Sequence, residues 1–285
     1  MIPGVGTSKG RRGAAGGVDL SAAHVVITGG SSGIGLATAV ELARRGAHLT
    51  LIARAAERLA EAERLVLAAG APVARLASVD VADQVAVQRA IADAAVAMGP
   101  VDVLVTCAGI ARPGRFTELD DDVFRSMMEV DYFGTLWPIR TVAPTMVARR
   151  TGSIIGVSSA AGLVGVYGYT AYGAAKFAVR GLLEALRGEL APHGVHVGCV
   201  FPPDVDTPQL EDEDRYKPAE TRAISGSIKP LDPEAVAASI IAGIEHRRFE
   251  IVPDLSTRAL ARTASLLPGA YRRWFDRQAR GADRD

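Results

Sequence analysis

Tyr172 and Lys176 stand four residues apart in Tyr172-Gly173-Ala174-Ala175-Lys176, a spacing that puts both side chains on one face of a helix. A lysine cation beside a phenol stabilises the phenolate and draws the tyrosine pKa down from about 10 toward neutral pH. Such a tyrosine can give a proton to a ketone oxygen, or take it back from an alcohol. Taken alone, a Tyr and a Lys at this spacing are usually a surface pair. Two further features lift this one out of that class: Ser159, upstream in Val157-Ser158-Ser159-Ala160-Ala161-Gly162, and a glycine-rich turn near the start of the chain.

That turn is Thr28-Gly29-Gly30-Ser31-Ser32-Gly33-Ile34-Gly35. It follows the apolar run His24-Val25-Val26-Ile27 and leads into a helix-like segment from Leu36 to Arg45. A strand, a glycine turn and a helix start are what a dinucleotide pyrophosphate needs. Glycines let the backbone approach the phosphates, and the helix N-terminus offers unpaired N–H groups and a positive dipole end. At the end of the second strand, where NAD-binding folds usually hold the ribose hydroxyls with an acid, stand Ala53 and Arg54, with Arg58 one helical turn on. Two guanidinium groups suit a 2′-phosphate, so NADPH/NADP is the expected cofactor.

Together, the glycine turn, Ser159 and the Tyr-x-x-x-Lys helix resemble the short-chain dehydrogenase/reductase family over roughly residues 22 to 250, in the right order. The resemblance implies that Ser159 hydrogen-bonds the reacting oxygen while Tyr172 moves its proton. Ser158 is the bland neighbour, expected on the other side of its strand. It also implies a cofactor set of Gly29, Ser31, Ser32, Gly33, Ile34, Gly35, Arg54, Arg58, Asp80 and Val81. Ala108, Gly109, Tyr172, Lys176, Pro202, Val205 and Thr207 complete it. Asp80 resembles the family residue beside the adenine, and Ala108 and Gly109 are small enough to leave the cofactor room.

Positioning these residues needs a sheet. Strand-like runs at His24 to Thr28, Ala47 to Ala53, Val73 to Val79, Val101 to Thr106, Gly152 to Ser158 and Val195 to Phe201 alternate with helix-like segments. The helices are Leu36 to Arg45, Ala55 to Ala69, Gln84 to Met98, Leu119 to Arg149 and Tyr172 to Ala191. Such alternation predicts an α/β fold: a single doubly wound Rossmann domain over residues 21 to 255, with a mostly parallel seven-stranded sheet. The 285 residues, 48% hydrophobic but only 5% aromatic, suffice for one large aliphatic core. Residues 1 to 20 read as a disordered tail, and 256 to 285 as a basic, amphipathic helical extension.

The formal net charge of zero points away from nucleic acid. Cys107 and Cys199 make no disulfide framework, which favours a cytoplasmic protein. Five histidines show no metal-ligand spacing, and no metal is expected. The helix beginning at Gly173 is apolar on more than one face, which predicts a homodimer or homotetramer through it and the Leu119 to Arg149 helix.

Two departures from the family pattern matter. Most members carry Asn in the long middle helix, where this chain has Asp131 in Glu129-Val130-Asp131-Tyr132. As an anion, Asp131 can pair with Lys176 and soften its pull on Tyr172, which predicts an activity profile moved to higher pH. The second departure is Phe201-Pro202-Pro203-Asp204-Val205-Asp206-Thr207-Pro208 with Lys217 to Ser225. These stretches resemble a subfamily that uses NADPH to reduce the 3-keto group of a long-chain amino alcohol. Its eukaryotic members carry long apolar segments after the catalytic domain, where this chain has the basic, aromatic stretch Leu266 to Arg277.

Two uses fit that stretch: a peripheral contact with a membrane surface, and a helix packed on protein. The segment Asp204 to Pro230 falls where a substrate lid is expected, and its acidic run Glu211-Asp212-Glu213-Asp214 reads as a solvated face. Leu163, Val164, Val166, Tyr167 and Tyr169 suit either an acyl pocket or a cover for the sheet. The expected function is NADPH-dependent reduction of a long-chain 3-keto lipid. The alternatives are an oxidoreductase for another lipophilic ketone, alcohol or 3-oxoacyl thioester, and a non-enzymatic NADP-binding sensor or scaffold.

Overall fold

Each apolar run of the sequence becomes a strand of one sheet. The computed structural model describes residues 19–225, 229–267, 269, 272–273 and 275–277. The strands are β1 (His24–Thr28), β2 (His48–Ala53), β3 (Ala74–Ser78), β4 (Val103–Thr106), β5 (Ser153–Val157), β6 (His196–Val200) and β7 (Glu250–Ile251). They lie in the order β3-β2-β1-β4-β5-β6-β7, and every pairing is parallel. The expected sheet is therefore parallel throughout.

Alternate residues of each strand feed two cores. On one face, Val25, Ile27, Leu49, Leu51, Val103 and Val105 pack against α1 (Gly33–Ala43), α2 (Ala56–Ala68) and α9 (Pro233–Glu245). On the other, Val26, Ile52, Leu104, Ile154 and Val197 pack against α3 (Gln84–Met98), α5 (Gly134–Arg149) and α6 (Thr170–Leu190). The remaining helices are α4 (Asp121–Met127), α7 (Pro208–Asp214), α8 (Ala219–Ser225) and α10 (Leu255–Leu266). Each fully buried aliphatic side chain contributes about 1.5–3 kcal/mol, which is why the central strands β1, β2 and β4 are rich in Val, Ile and Leu, whereas β3 at the edge is partly exposed.

Several boundaries differ from expectation. The helix after the glycine turn begins at Gly33, inside the turn itself. The segment expected as one helix from Leu119 begins at Asp121, and between α4 and α5 it widens into a π turn, Met128–Phe133. A π turn lets the chain accommodate an extra residue without breaking the helix. Leu20, assigned to the tail, is buried in the first core, and Asp19 accepts the Ser21 N–H at 3.0 Å. Residues 1 to 18 lie outside the described residues.

Candidate active site

Because β1 and β4 are neighbours while their crossovers run to opposite sides, a crevice opens at their carboxyl ends, the usual ligand position in such sheets. The glycine turn fills it. A Cβ on Gly29 (φ +70°) would lie 2.7 Å from the Ala108 nitrogen, and one on Gly35 2.3 Å from the Gly29 oxygen. One on Gly33 (φ +50°) would meet Thr207 Cγ2 at 2.9 Å. The turn is thus wedged between the end of β4 and the segment after β6, at a separation only glycine permits.

Ser32 makes no side-chain capping bond to the start of α1, and the first turn of α1 holds no acid. The N–H groups of that turn are therefore left for an anion. Ser31, Ser32 and Ile34 are half-buried beside them. Arg54 and Arg58 are exposed at the end of β2 and the start of α2, and Ser78 Oγ donates to the Arg54 carbonyl at 2.8 Å. Asp80 accepts the Ala82 N–H at 3.0 Å, while Val81 packs against Gly134. Pro202 accepts the Ala160 N–H at 2.9 Å, Val205 is buried, and Thr207 Oγ1 caps α7 by accepting the Leu210 N–H. All the expected cofactor residues thus lie around the carboxyl ends of the strands. The bare glycine cradle and uncapped helix start fit a dinucleotide pyrophosphate.

The reacting side chains sit on the next two elements. Gly156 in β5 lets α6 approach closely, since a Cβ there would meet Leu183 Cδ1 at 2.4 Å. Ser158 then fixes α6 along its axis, donating from Oγ to the Lys176 carbonyl at 2.9 Å. Ser158 therefore faces α6, not the far side of its strand, and is a positioning residue that alternation alone misses. Ser159 caps a short 3₁₀ turn by accepting the Ala161 N–H at 3.1 Å, and its hydroxyl also hydrogen-bonds Tyr172.

Lys176 is buried. Its Nζ donates to the Val157 carbonyl at 3.2 Å, lies 3.3 Å from Asp131 Oδ1 and sits 5.5 Å from the centre of the Tyr172 ring. Asp131, in the π turn, is wholly buried; its Oδ1 also accepts the Ile110 N–H at 3.1 Å, and its Oδ2 has no partner. Gly109 leaves the room for this pair, since a Cβ there would fall 2.7 Å from Asp131 Oδ1 and 3.3 Å from Lys176 Nζ.

Burial, with the charge balance behind it, runs against one expectation. Tyr172 is not drawn toward neutral pH; its pKa is pushed well above the ordinary value, by burial first and then by Asp131 and Glu213, with the Ser159 hydrogen bond acting the other way. Lys176 is shared with Asp131, as the sequence suggested, so its charge no longer acts on Tyr172 alone.

The lid also departs from expectation. Glu211, Asp212 and Asp214 are exposed, but Glu213 turns inward and is only 6% exposed, taking the Tyr169 hydroxyl as its hydrogen-bond donor. Burial pushes its carboxyl up to about 7. Lys217, equally buried, sits 2.7 Å from Asp214, 3.3 Å from Asp204 and 3.8 Å from Glu213. α7 turns Glu213 inward, and Lys217 follows it from the turn beyond the end of that helix at Asp214. Two clasps hold the lid to the loop after β4. The Arg115 guanidinium forks onto Glu220, which also accepts the Tyr167 hydroxyl at 3.0 Å, and the Arg112 guanidinium lies 3.2 Å from the centre of the Tyr216 ring.

Beneath the lid, Ala111, Met127, Ala161, Tyr169, Ala171 and Ala175 form an apolar cluster around Tyr172, with Val166 packed against it. Leu163, by contrast, packs into the sheet core. A cavity of about 360 Å³ separates Val166, Gly173, Ala174 and Phe177 from Phe275 and Asp276, so the C-terminal stretch meets the body of the protein here. Tyr271 and Trp274 lie outside the described residues.

The family model for short chain dehydrogenase matches residues 23–217. The chain belongs to that family. This short-chain dehydrogenase is 46% identical over 226 residues to the 3-dehydrosphinganine reductase of Danio rerio, a match covering 78% of this chain and 68% of that protein. The 3-ketodihydrosphingosine reductase of Mus musculus is 45% identical over the same length and coverage. Among solved structures, a short chain dehydrogenase/reductase from Burkholderia phymatum in complex with NAD superimposes with a TM-score of 0.78 at 27% identity. That match covers 87% of this chain and 94% of the other. The short-chain dehydrogenase is thus an oxidoreductase acting on CH–OH and C=O groups.

Proposed function

We propose that this enzyme reduces the ketone of a long-chain 3-keto sphingoid base, using NADPH. The observation that carries the reading is the apolar cluster around Tyr172 in a chain whose relatives are named for that reaction. Gly29, Ser31, Ser32, Gly33, Ile34 and Gly35 would hold the pyrophosphate, Arg54 and Arg58 the 2′-phosphate, and Asp80 and Val81 the adenine. Ala108, Gly109, Pro202, Val205 and Thr207 would enclose the remainder. When bound, the reduced nicotinamide supplies the hydride. Ser159 orients the carbonyl oxygen, Tyr172 Oη gives it a proton, and Lys176 with Asp131 holds Tyr172 in place.

A homodimer or homotetramer through α6 accords with Phe177, which is 42% exposed on that helix. Exposed Leu266 and Leu267, followed by exposed Arg272 and Arg273, support a peripheral contact between the C-terminal stretch and an anionic membrane surface from the cytoplasmic side. No helix among the described residues is long and apolar enough to cross a membrane.

The test is the loss of NADPH absorbance with 3-ketodihydrosphingosine, beside a 3-oxoacyl thioester, an NADH control and a Tyr172→Phe control. Turnover of the sphingoid ketone that vanishes in the variant supports the proposal. Turnover of the thioester alone replaces the substrate.

A further inference from the structure

The two roles of a catalytic tyrosine need opposite protonation states. Ketone reduction begins from the phenol: the carbonyl carbon accepts the hydride, its oxygen takes the Tyr172 proton, and the phenolate left behind regains a proton from solvent. Alcohol oxidation begins from the phenolate, which must remove the hydroxyl proton as hydride leaves. Whatever fixes the charge around Tyr172 therefore fixes the pH range in which each direction runs.

The groups facing Tyr172 come from four elements. On α6, the Lys176 cation lies 5.5 Å from the centre of the Tyr172 ring. Asp131, from the π turn, holds that cation at 3.3 Å and is itself wholly buried, so bulk solvent does not reach the carboxylate. From the lid side come Glu213 and Asp204, two carboxyls that share Lys217 with Asp214. Tyr169, 5.8 Å away ring to ring, is neutral, and Ser159 after β5 donates no charge. The nearby cation is matched by one anion, so among the described residues the Ser159 hydrogen bond is left as the group favouring a negative charge at Tyr172. The Tyr172 pKa is raised by burial first, and the carboxylates of this arrangement add to it.

We propose that Asp131 sets the working direction of this site: by pairing with Lys176 it keeps Tyr172 as the proton-bearing phenol, so the enzyme reduces ketones across the neutral range and oxidises alcohols only in alkali. Burial raises the Asp131 carboxyl above its ordinary value, while Lys176 and the Ile110 N–H act the other way; the proposal takes the carboxyl as ionised in the alkaline range where a phenol loses its proton. The overall equilibrium is untouched; the fall of reduction and the rise of oxidation move along the pH axis together. The proposal rests on the reading of Tyr172 as proton donor, but not on the identity of the substrate.

The decisive measurement is the phenolate absorbance of the cofactor-free protein against pH, taken as the difference between wild type and Tyr172→Phe, and repeated in an Asp131→Asn background. Tyr172 in the wild type is expected to titrate above the free-tyrosine value of about 10. The Asn background is expected to bring the midpoint down by at least about one unit, a tenfold change in the ionisation equilibrium. A wild-type midpoint below that of free tyrosine overturns the proposal without any variant at position 131, as does an Asn background that leaves the midpoint unmoved. With NADP(H) and a ketone–alcohol pair the protein turns over, both rate profiles should shift to lower pH by the same amount in Asp131→Asn. Failure of one chosen substrate leaves the phenolate titration intact, whereas full reductase activity in Tyr172→Phe removes the proton-donor reading itself.

Discussion

Lys176 Nζ and Asp131 Oδ1 lie 3.3 Å apart in a space that exists because residue 109 has no side chain. The pair joins α6 to the π turn beneath the reacting tyrosine. It makes position 109 a test of how tightly the site is built. Gly109→Ala puts a methyl group 2.7 Å from the carboxylate oxygen. We expect a loss of about 1–3 kcal/mol in stability, typical of overpacking, with a larger fall in kcat than that loss alone explains. Chemical denaturation beside steady-state kinetics separates the two.

Removing the Tyr172 hydroxyl removes the proton donor but leaves the ring in its apolar cluster. For Tyr172→Phe we expect kcat to fall by about 10²- to 10⁴-fold, the usual contribution of a general acid. Affinity for NADPH, read by fluorescence titration, should change far less.

Cofactor choice is expected to rest on the exposed guanidinium groups at the end of β2. Hydrogen bonds to charged groups are worth about 1.5–3 kcal/mol. Arg54→Ala with Arg58→Ala should raise KM for NADPH by roughly 10- to 100-fold while leaving KM for NADH unchanged. Equal effects on both cofactors would contradict the assignment.

Two buried titratable groups give stability opposite slopes with pH. The Glu213 carboxyl is raised by burial from 4.5 to about 7, so between these values the folded chain binds the extra proton and stability falls as pH rises. His196, held by Ser153 and the Arg248 carbonyl, is lowered by burial from 6.5 to about 4, so stability falls as pH drops through that window. Glu213→Gln should abolish the first slope and leave the second. The urea midpoint of the variant should then climb more steeply than that of wild type between pH 4.5 and 6.5.

The lid is tied to the body through Glu220, which takes both Arg115 and Tyr167. Glu220→Gln keeps the shape and removes the charge. We expect the lid to open more readily, with KM for a long-chain ketone rising several-fold and kcat changing less. Limited proteolysis within residues 208 to 225 should quicken in parallel.

Much of this site could be read from the chain because its parts are local. A glycine turn between an apolar run and a helix, or a Tyr and Lys four apart, declares its geometry within a few residues. Asp131 was legible as a departure, and its pairing with Lys176 followed from charge alone. What escaped depends on contacts across the fold. That Ser158 faces α6 follows from a carbonyl on another element. The inward turn of Glu213 follows from the lid packing on Tyr169, and a run of four acids gives no sign of which one will be buried. The rise in the Tyr172 pKa sums burial with carboxylates from three separate segments, a quantity with no local signature.

The π turn at Met128–Phe133 carries one residue more than a regular helix of the same span requires. Deleting one residue there would let α4 and α5 run together as an unbroken α-helix with better backbone hydrogen bonding. It would also swing everything on one side of the deletion by about 100° around the axis, carrying either Asp131 away from Lys176 or α4 off its seat. A more regular helix and a working proton site are therefore alternatives at this position. A chain selected for helical stability alone would be expected to lose the irregularity, and its chemistry along with it.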